Sequence, residues 1–124
     1  MARILIAEDE EVLSALCARA LAGDGHEVKT ACDGTDALDV LVRENGRFDL
    51  LLTDIRMPIM DGIALALAAA RDYPDLTILL MTGYADQRER AHGLEAIIHD
   101  VIAKPFSVPV LRAAVNEALA VGAR

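Results

Sequence analysis

Short apolar runs punctuate the chain at regular intervals. Ile4-Leu5-Ile6-Ala7, Leu50-Leu51-Leu52-Thr53 and Ile78-Leu79-Leu80-Met81 are uninterrupted, which marks strands covered on both faces. Glu27-Val28-Lys29-Thr30-Ala31 alternates polar and apolar residues, as a less central strand would, and Val101-Ile102-Ala103 is a short fifth candidate. Between these runs the period lengthens to that of a helix. Segment 11–22 carries Leu13, Leu16, Ala20 and Leu21 on one stripe and stops at Gly23. Segment 35–44 turns Ala37, Leu38, Leu41 and Val42 inward and stops at Asn45-Gly46. Segment 63–71 is rich in Ala and Leu and is closed by Tyr73-Pro74. The last helix begins after Ser107, a residue suited to an N-cap, with Leu111, Val115 and Leu119 at four-residue spacing. Segment 86–95 is helical in period but offers few core-facing residues and contains Gly93, so it predicts a weakly held helix able to shift.

The result is a β-α unit repeated five times over residues 1–124, read as a single domain with no linker, repeat or low-complexity segment. Right-handed crossovers between such units predict an α/β fold, a doubly wound parallel sheet covered on both faces. For five strands the flavodoxin-like order 2-1-3-4-5 is favoured.

Composition narrows the function. Twelve Lys+Arg against 20 Asp+Glu give a net charge of −8, which argues against a phosphate-backbone binder. Aromatic residues make up only 3% of the chain, too few for base-stacking platforms. Hydrophobic residues make up 54%, which excludes an acidic disordered tail. No stretch approaches the roughly 18 apolar residues of a membrane span, and the first apolar run meets acid at Glu8, too early for a signal-peptide core. Two cysteines without metal-type spacing make a cytoplasmic chain with reduced thiols the simplest expectation. Cys17, beside Leu13 and Leu16, reads as packing; Cys32 falls in a turn and is assigned no role.

Where the acids fall gives the chemistry. In a doubly wound sheet the site lies at the carboxyl ends of the strands, where the strand order reverses. There strand one ends in Glu8-Asp9-Glu10-Glu11, strand three in Thr53-Asp54, strand four in Thr82-Gly83 and strand five in Lys104-Pro105. Glu10 and Glu11 fit helix-start charges that favour the dipole. Asp54 does not, because a loop, Ile55-Arg56-Met57-Pro58-Ile59-Met60-Asp61-Gly62, follows it. Glu8, Asp9 and Asp54 at one edge repel unless a cation neutralises them, and an all-oxygen donor set points to Mg²⁺. A metal-bound aspartate is a competent phosphoryl acceptor, and Lys104 and Thr82 are of the types that hold the transferred group.

Taken together these residues resemble the receiver domain of bacterial two-component response regulators, over essentially the whole of residues 3–119. The resemblance implies that Glu8 and Asp9 are the acid pair that binds Mg²⁺ and that Asp54 is the phosphoacceptor. It implies that the Arg56 backbone carbonyl is a further metal ligand, and that Thr82 and Lys104 contact the phosphoryl group. It also implies a cis Lys104-Pro105 bond. Glu at position 8 is a mild departure from the usual Asp and keeps the ligand chemistry. Val101 stands where receivers usually carry Tyr or Phe, so the aromatic switch is absent in its usual form. Tyr84, two residues after Thr82, is the candidate replacement. Ala96-Ile97-Ile98-His99-Asp100 departs from the common pattern, and the isoleucine pair reads as core rather than as a partner-binding face. His26, His92 and His99 have no ligand-like spacing and read as surface residues.

The resemblance implies a cytoplasmic signalling protein, not an enzyme beyond assisting its own phosphorylation and dephosphorylation. Its partners would be a sensor histidine kinase or histidine phosphotransfer protein, and a downstream protein docking on segment 86–95, strand five and the last helix. A stand-alone receiver without an output domain is expected, with neither nucleic acid nor membrane as partner. Competing readings fare worse. A haloacid-dehalogenase-type phosphatase needs an acid at position 56, where Arg56 stands, and an FMN carrier would have its phosphate repelled by Glu8 to Glu11. Neither a dinucleotide fingerprint nor a P-loop is present. The serious alternative is a phosphorylation-independent adaptor module, for example for a protease, and the joint presence of Asp9, Asp54, Thr82 and Lys104 counts against it.

Overall fold

The structure is a computed structural model that describes residues 1–83, 91 and 93–122. Five parallel strands, β1 (Arg3–Ala7), β2 (Glu27–Ala31), β3 (Leu50–Asp54), β4 (Thr77–Thr82) and β5 (Asp100–Ala103), form one sheet in the order β2-β1-β3-β4-β5. Among the described residues four helices cover it: α1 (Glu11–Gly23), α2 (Gly34–Arg43), α3 (Gly62–Asp72) and α4 (Val108–Gly122). The expected order and architecture are both found. Of the expected helix over 86–95, residues 86–90 and His92 lie outside the described residues, as does Tyr84, and residues 93–95 are not helical.

Strand alternation divides the core. Ile4, Ile6, Leu50, Leu52, Leu79 and Met81 face α1 and α4, where Cys17, Leu21, Leu111 and Val115 meet them. Leu5, Ala7, Leu51, Ile78 and Leu80 face α2 and α3, where Ala37, Leu41, Leu65 and Ala69 pack. Both faces of β3 are buried along its whole length, as its uninterrupted apolar run requires. The alternating β2 is an edge strand, exposed over most of its length. Ile98 is buried and Ile97 half-buried against the α2–α3 core, so the isoleucine pair is core.

Two inward assignments fail for the same geometric reason. The inner stripe of α2 is Ala37, Val40 and Leu41, so Val42, one residue further on, is turned about 100° away into solvent. Leu16 precedes the buried Cys17 and is likewise exposed. The histidine assignment also changes: His26 and His99 are half-buried. His26 Nδ1 accepts a hydrogen bond from the Ala2 N–H at 3.1 Å, and His99 Nε2 lies 3.6 Å from Glu117. Chain turns at the edge of a small domain fold back on the core, which spacing along the sequence does not reveal.

Capping fixes the helix starts. Asp33 accepts from the Asp36 N–H at 2.8 Å, while Asp36 accepts from the Cys32 N–H at 3.0 Å, a pair of bonds that begins α2 one residue earlier than its apolar stripe suggests. Asp61 accepts from the Ala64 N–H at 2.9 Å and starts α3. Ser107 Oγ accepts from the Val110 N–H at 3.3 Å at the head of α4, as its residue type predicts.

Candidate functional site

The carboxyl edge of the sheet gathers the charged residues because strand register brings the strand ends level. Ala7 pairs with Ala31, Asp54 with Met81 and Thr82 with Ala103. The Glu8 N–H donates to Ala31 at 3.0 Å and the Lys104 N–H to Thr82 at 2.6 Å, extending the ladders by one residue each. Glu8 and Lys104 are thereby set by backbone hydrogen bonds.

Glu8, Asp9 and Asp54 each place a carboxylate oxygen within 4.8 Å of the others. Glu8 and Asp54 are buried, and Asp9 is exposed. Lys104 Nζ donates to Glu8 Oε1 at 2.8 Å and lies 3.0 Å from Asp54 Oδ2, while Glu8 Oε2 accepts from the Glu10 N–H at 3.1 Å. Three carboxylates against one ammonium leave two negative charges in a largely desolvated corner, the deficit that one divalent cation offsets. The donors are all oxygens, which suits Mg²⁺.

The electrostatics register this crowding. Burial, the Glu8 carboxyl and its charge raise the Asp9 pKa above the usual carboxylate value, against smaller contributions from its own backbone and Lys104. Burial alone would lower the Lys104 ammonium, but its hydrogen bonds and charge attraction to Glu8 and Asp54 outweigh that, so its pKa stands above the ordinary lysine value.

Thr82 adds a buried hydroxyl to this edge. Its hydroxyl is buried and has no hydrogen-bond partner among the described residues. A buried unpaired hydroxyl costs about 1–3 kcal/mol, which an incoming oxyanion would recover. Thr82 ends β4, the strand whose Met81 pairs with Asp54. A cleft of about 530 Å³ opens over Asp54 and Lys104, lined also by Glu10, Leu13, Arg56, Gly83, Pro105 and Phe106. Glu10 is the N-cap residue of α1 and Glu11 lies in its first turn, as their helix-start reading expects. The Lys104-Pro105 bond is cis.

The geometry therefore brings together Glu8, Asp9, Asp54 and Lys104, with Thr82 beside them and Arg56 on the cleft wall. Val101 is half-buried against the α2–α3 core rather than on the cleft. Sequence reasoning missed Leu13 and Phe106 as walls of the cleft. Leu13 reads as core by period, and Phe106 follows the Lys-Pro pair, the one local signal that could have placed it.

A parallel five-stranded sheet with an acid cluster, a lysine and a buried hydroxyl at its carboxyl edge is consistent with a phosphoacceptor signalling domain. The chain belongs to the response regulator receiver domain family, whose sequence profile matches residues 4–116. Among curated relatives, response regulator MprA of Mycobacterium sp. (strain KMS) is 34% identical over 111 residues, covering 90% of this chain and 47% of that protein. The chain thus spans about half the length of the curated relatives it matches. The CheY-like receiver domain protein of Methanospirillum hungatei superposes with a TM-score of 0.89 at 30% identity, over 98% of this chain and 96% of that one. Response regulator TrrA of Thermotoga maritima, solved in complex with Mg²⁺-BeF, gives 0.83 at 29% identity, over 95% and 99% of the two chains. Receiver domains are signalling domains that bind Mg²⁺ at an acidic site, and response regulators interact with histidine kinases and downstream effectors. No described helix is long and apolar enough to cross a membrane.

Proposed function

We propose that this chain accepts a phosphoryl group on Asp54 from a phosphohistidine of a sensor histidine kinase or histidine phosphotransfer protein in the cytoplasm. An Asp54 carboxylate oxygen attacks phosphorus in line; the P–N bond breaks and the imidazole leaves with its electron pair. Glu8, Asp9, Asp54 and the Arg56 carbonyl would hold Mg²⁺, which offsets charge on the transferred group. Lys104 changes partners, exchanging part of its contact with Asp54 for a phosphoryl oxygen, and the buried Thr82 hydroxyl takes another. The same residues, with a water as attacker, assist the later loss of the group. The observation that carries this reading is the Lys104 ammonium held between Glu8 and Asp54, beside a buried hydroxyl that has no partner among the described residues.

The downstream partner would dock where segment 86–95, β5 and α4 meet. An apolar groove of about 340 Å³ along β5 and α4, lined by Val101, Ala103, Phe106, Val110 and Ala114, supports that face. The test is intact mass after incubation with Mg²⁺ and a small phosphodonor. One phosphoryl adduct is expected, absent in EDTA and in Asp54→Ala. A phosphorylation-independent adaptor would give none.

A further inference from the structure

The loop 55–61, which carries Arg56 onto the cleft, is pinned at its base by glycine. The Gly62 N–H donates to the Ile55 carbonyl at 2.8 Å, and a Cβ on Gly62 would sit 1.9 Å from the Asp54 carbonyl oxygen. The apex is held differently. The Gly34 N–H, in the first turn of α2, donates to the Met60 carbonyl at 3.2 Å. A Cβ on Gly34 would lie 2.5 Å from that oxygen and under 3 Å from the Met60 side chain, so the approach requires glycine. Between the two fixed points the Met60 N–H closes back on the Pro58 carbonyl at 2.7 Å, with Ile59 at φ 68°. A β-branched residue in that region is strained. Ile59 is also 85% exposed, so its own side chain contributes little packing to hold it there.

Strain of this kind persists only where the surroundings over-determine it. Here the surroundings are the N-terminus of α2, itself held by Asp33, which accepts from the Asp36 N–H, and by Asp36, which accepts from the Cys32 N–H. We infer that Gly34 is a positioning residue for the phosphoacceptor site: through Met60 it clamps the loop that presents the Arg56 carbonyl, although it touches neither metal nor phosphoryl group. The inference rests on the acceptor reading above and extends it to α2, an element outside the site. Ile59 is the joint across which the clamp acts. A flexible residue there would absorb a displacement of Met60 before it reached Arg56, whereas isoleucine transmits it.

The test is a calorimetric titration of the full chain with Mg²⁺. Gly34→Ala is expected to weaken binding by about tenfold, the scale seen when an outer-sphere support of a metal site is lost. Thr35→Ala, one residue along the same helix turn and exposed, is expected to stay within about twofold of wild type. Adding Ile59→Gly to Gly34→Ala is expected to restore most of the affinity, which a general loss of stability would not do. Unchanged affinity in Gly34→Ala, or a loss that Ile59→Gly does not rescue, overturns the inference. Should Gly34→Ala fail to fold, Asp36→Ala carries the test: it loosens the cap without entering the contact, and unchanged affinity there also overturns it. Failure of the wild-type chain to bind Mg²⁺ overturns the acceptor reading as well, which separates the two.

Discussion

Lys104 donates to Glu8 at 2.8 Å and lies 3.0 Å from Asp54, so one cation joins carboxylates from the ends of β1 and β3. Glu8 is 3% exposed, so removing that cation strands a buried carboxylate. Lys104→Ala is therefore expected to lower the unfolding free energy by about 3 kcal/mol in metal-free buffer, the scale for breaking one side of a buried pair. Urea denaturation checks this. Glu8→Gln in the Lys104→Ala background should return part of the loss, since it removes the stranded charge.

Metal binding should be visible as stability. A ligand that binds only the folded chain adds about 2.7 kcal/mol at a hundred times its Kd. Thermal unfolding with saturating Mg²⁺ is expected to show a rise of this size in the wild type and none in Asp9→Asn. Because burial and Glu8 raise the Asp9 pKa, its charge is unfavourable in the metal-free fold. Without Mg²⁺, Asp9→Asn is accordingly expected to unfold no lower than the wild type.

Two glycines on the same edge make opposite predictions. A Cβ on Gly62 would strike the Asp54 carbonyl oxygen, whereas one on Gly83 meets nothing within 4 Å among the described residues. Gly62→Ala is expected to destabilise by about 1–3 kcal/mol or more through forced backbone displacement. Gly83→Ala should change chemical denaturation by less than about 0.5 kcal/mol.

Cys17 is expected to make stability fall at alkaline pH. Its burial pushes the thiol from 9.0 to about 11, helped by the charge of Glu8. The unfolded chain releases this proton near pH 9 and the folded chain does not, so stability is whole below pH 9 and falls between about 9 and 11 by up to roughly 2–3 kcal/mol. Lys104 adds a later loss: its contribution is whole below 10.5 and disappears as pH rises through its raised folded value. Denaturation between pH 8 and 11 should slope downward in the wild type and less steeply in Cys17→Ala. At neutral pH a thiol reagent should label the exposed Cys32 alone, and both cysteines in denaturant.

The placement of Glu8, Asp9, Asp54, Thr82 and Lys104 was legible because each follows directly from an apolar strand run, and parallel register levels the strand ends. The buried strands were legible for the same reason. Backbone contacts between distant segments were not. Nothing local distinguishes Gly34 from an ordinary helix-start glycine, and no residue pattern announces Met60 against it or Ile59 at positive φ. Val42 and Leu16 were misread because an apolar residue beside an inner stripe looks like part of it until the exact rotation is known. Tyr84, the candidate substitute for the aromatic absent at Val101, lies outside the described residues.

The central claim, that Asp54 is the acceptor, has a direct chemical test. After Mg²⁺ and a small phosphodonor, borohydride reduction converts an aspartyl phosphate to homoserine, and peptide mass mapping locates it. The account predicts homoserine at position 54 and at no other aspartate, with none formed in EDTA. Homoserine elsewhere, or a phosphoryl adduct that survives in Asp54→Ala, would contradict it.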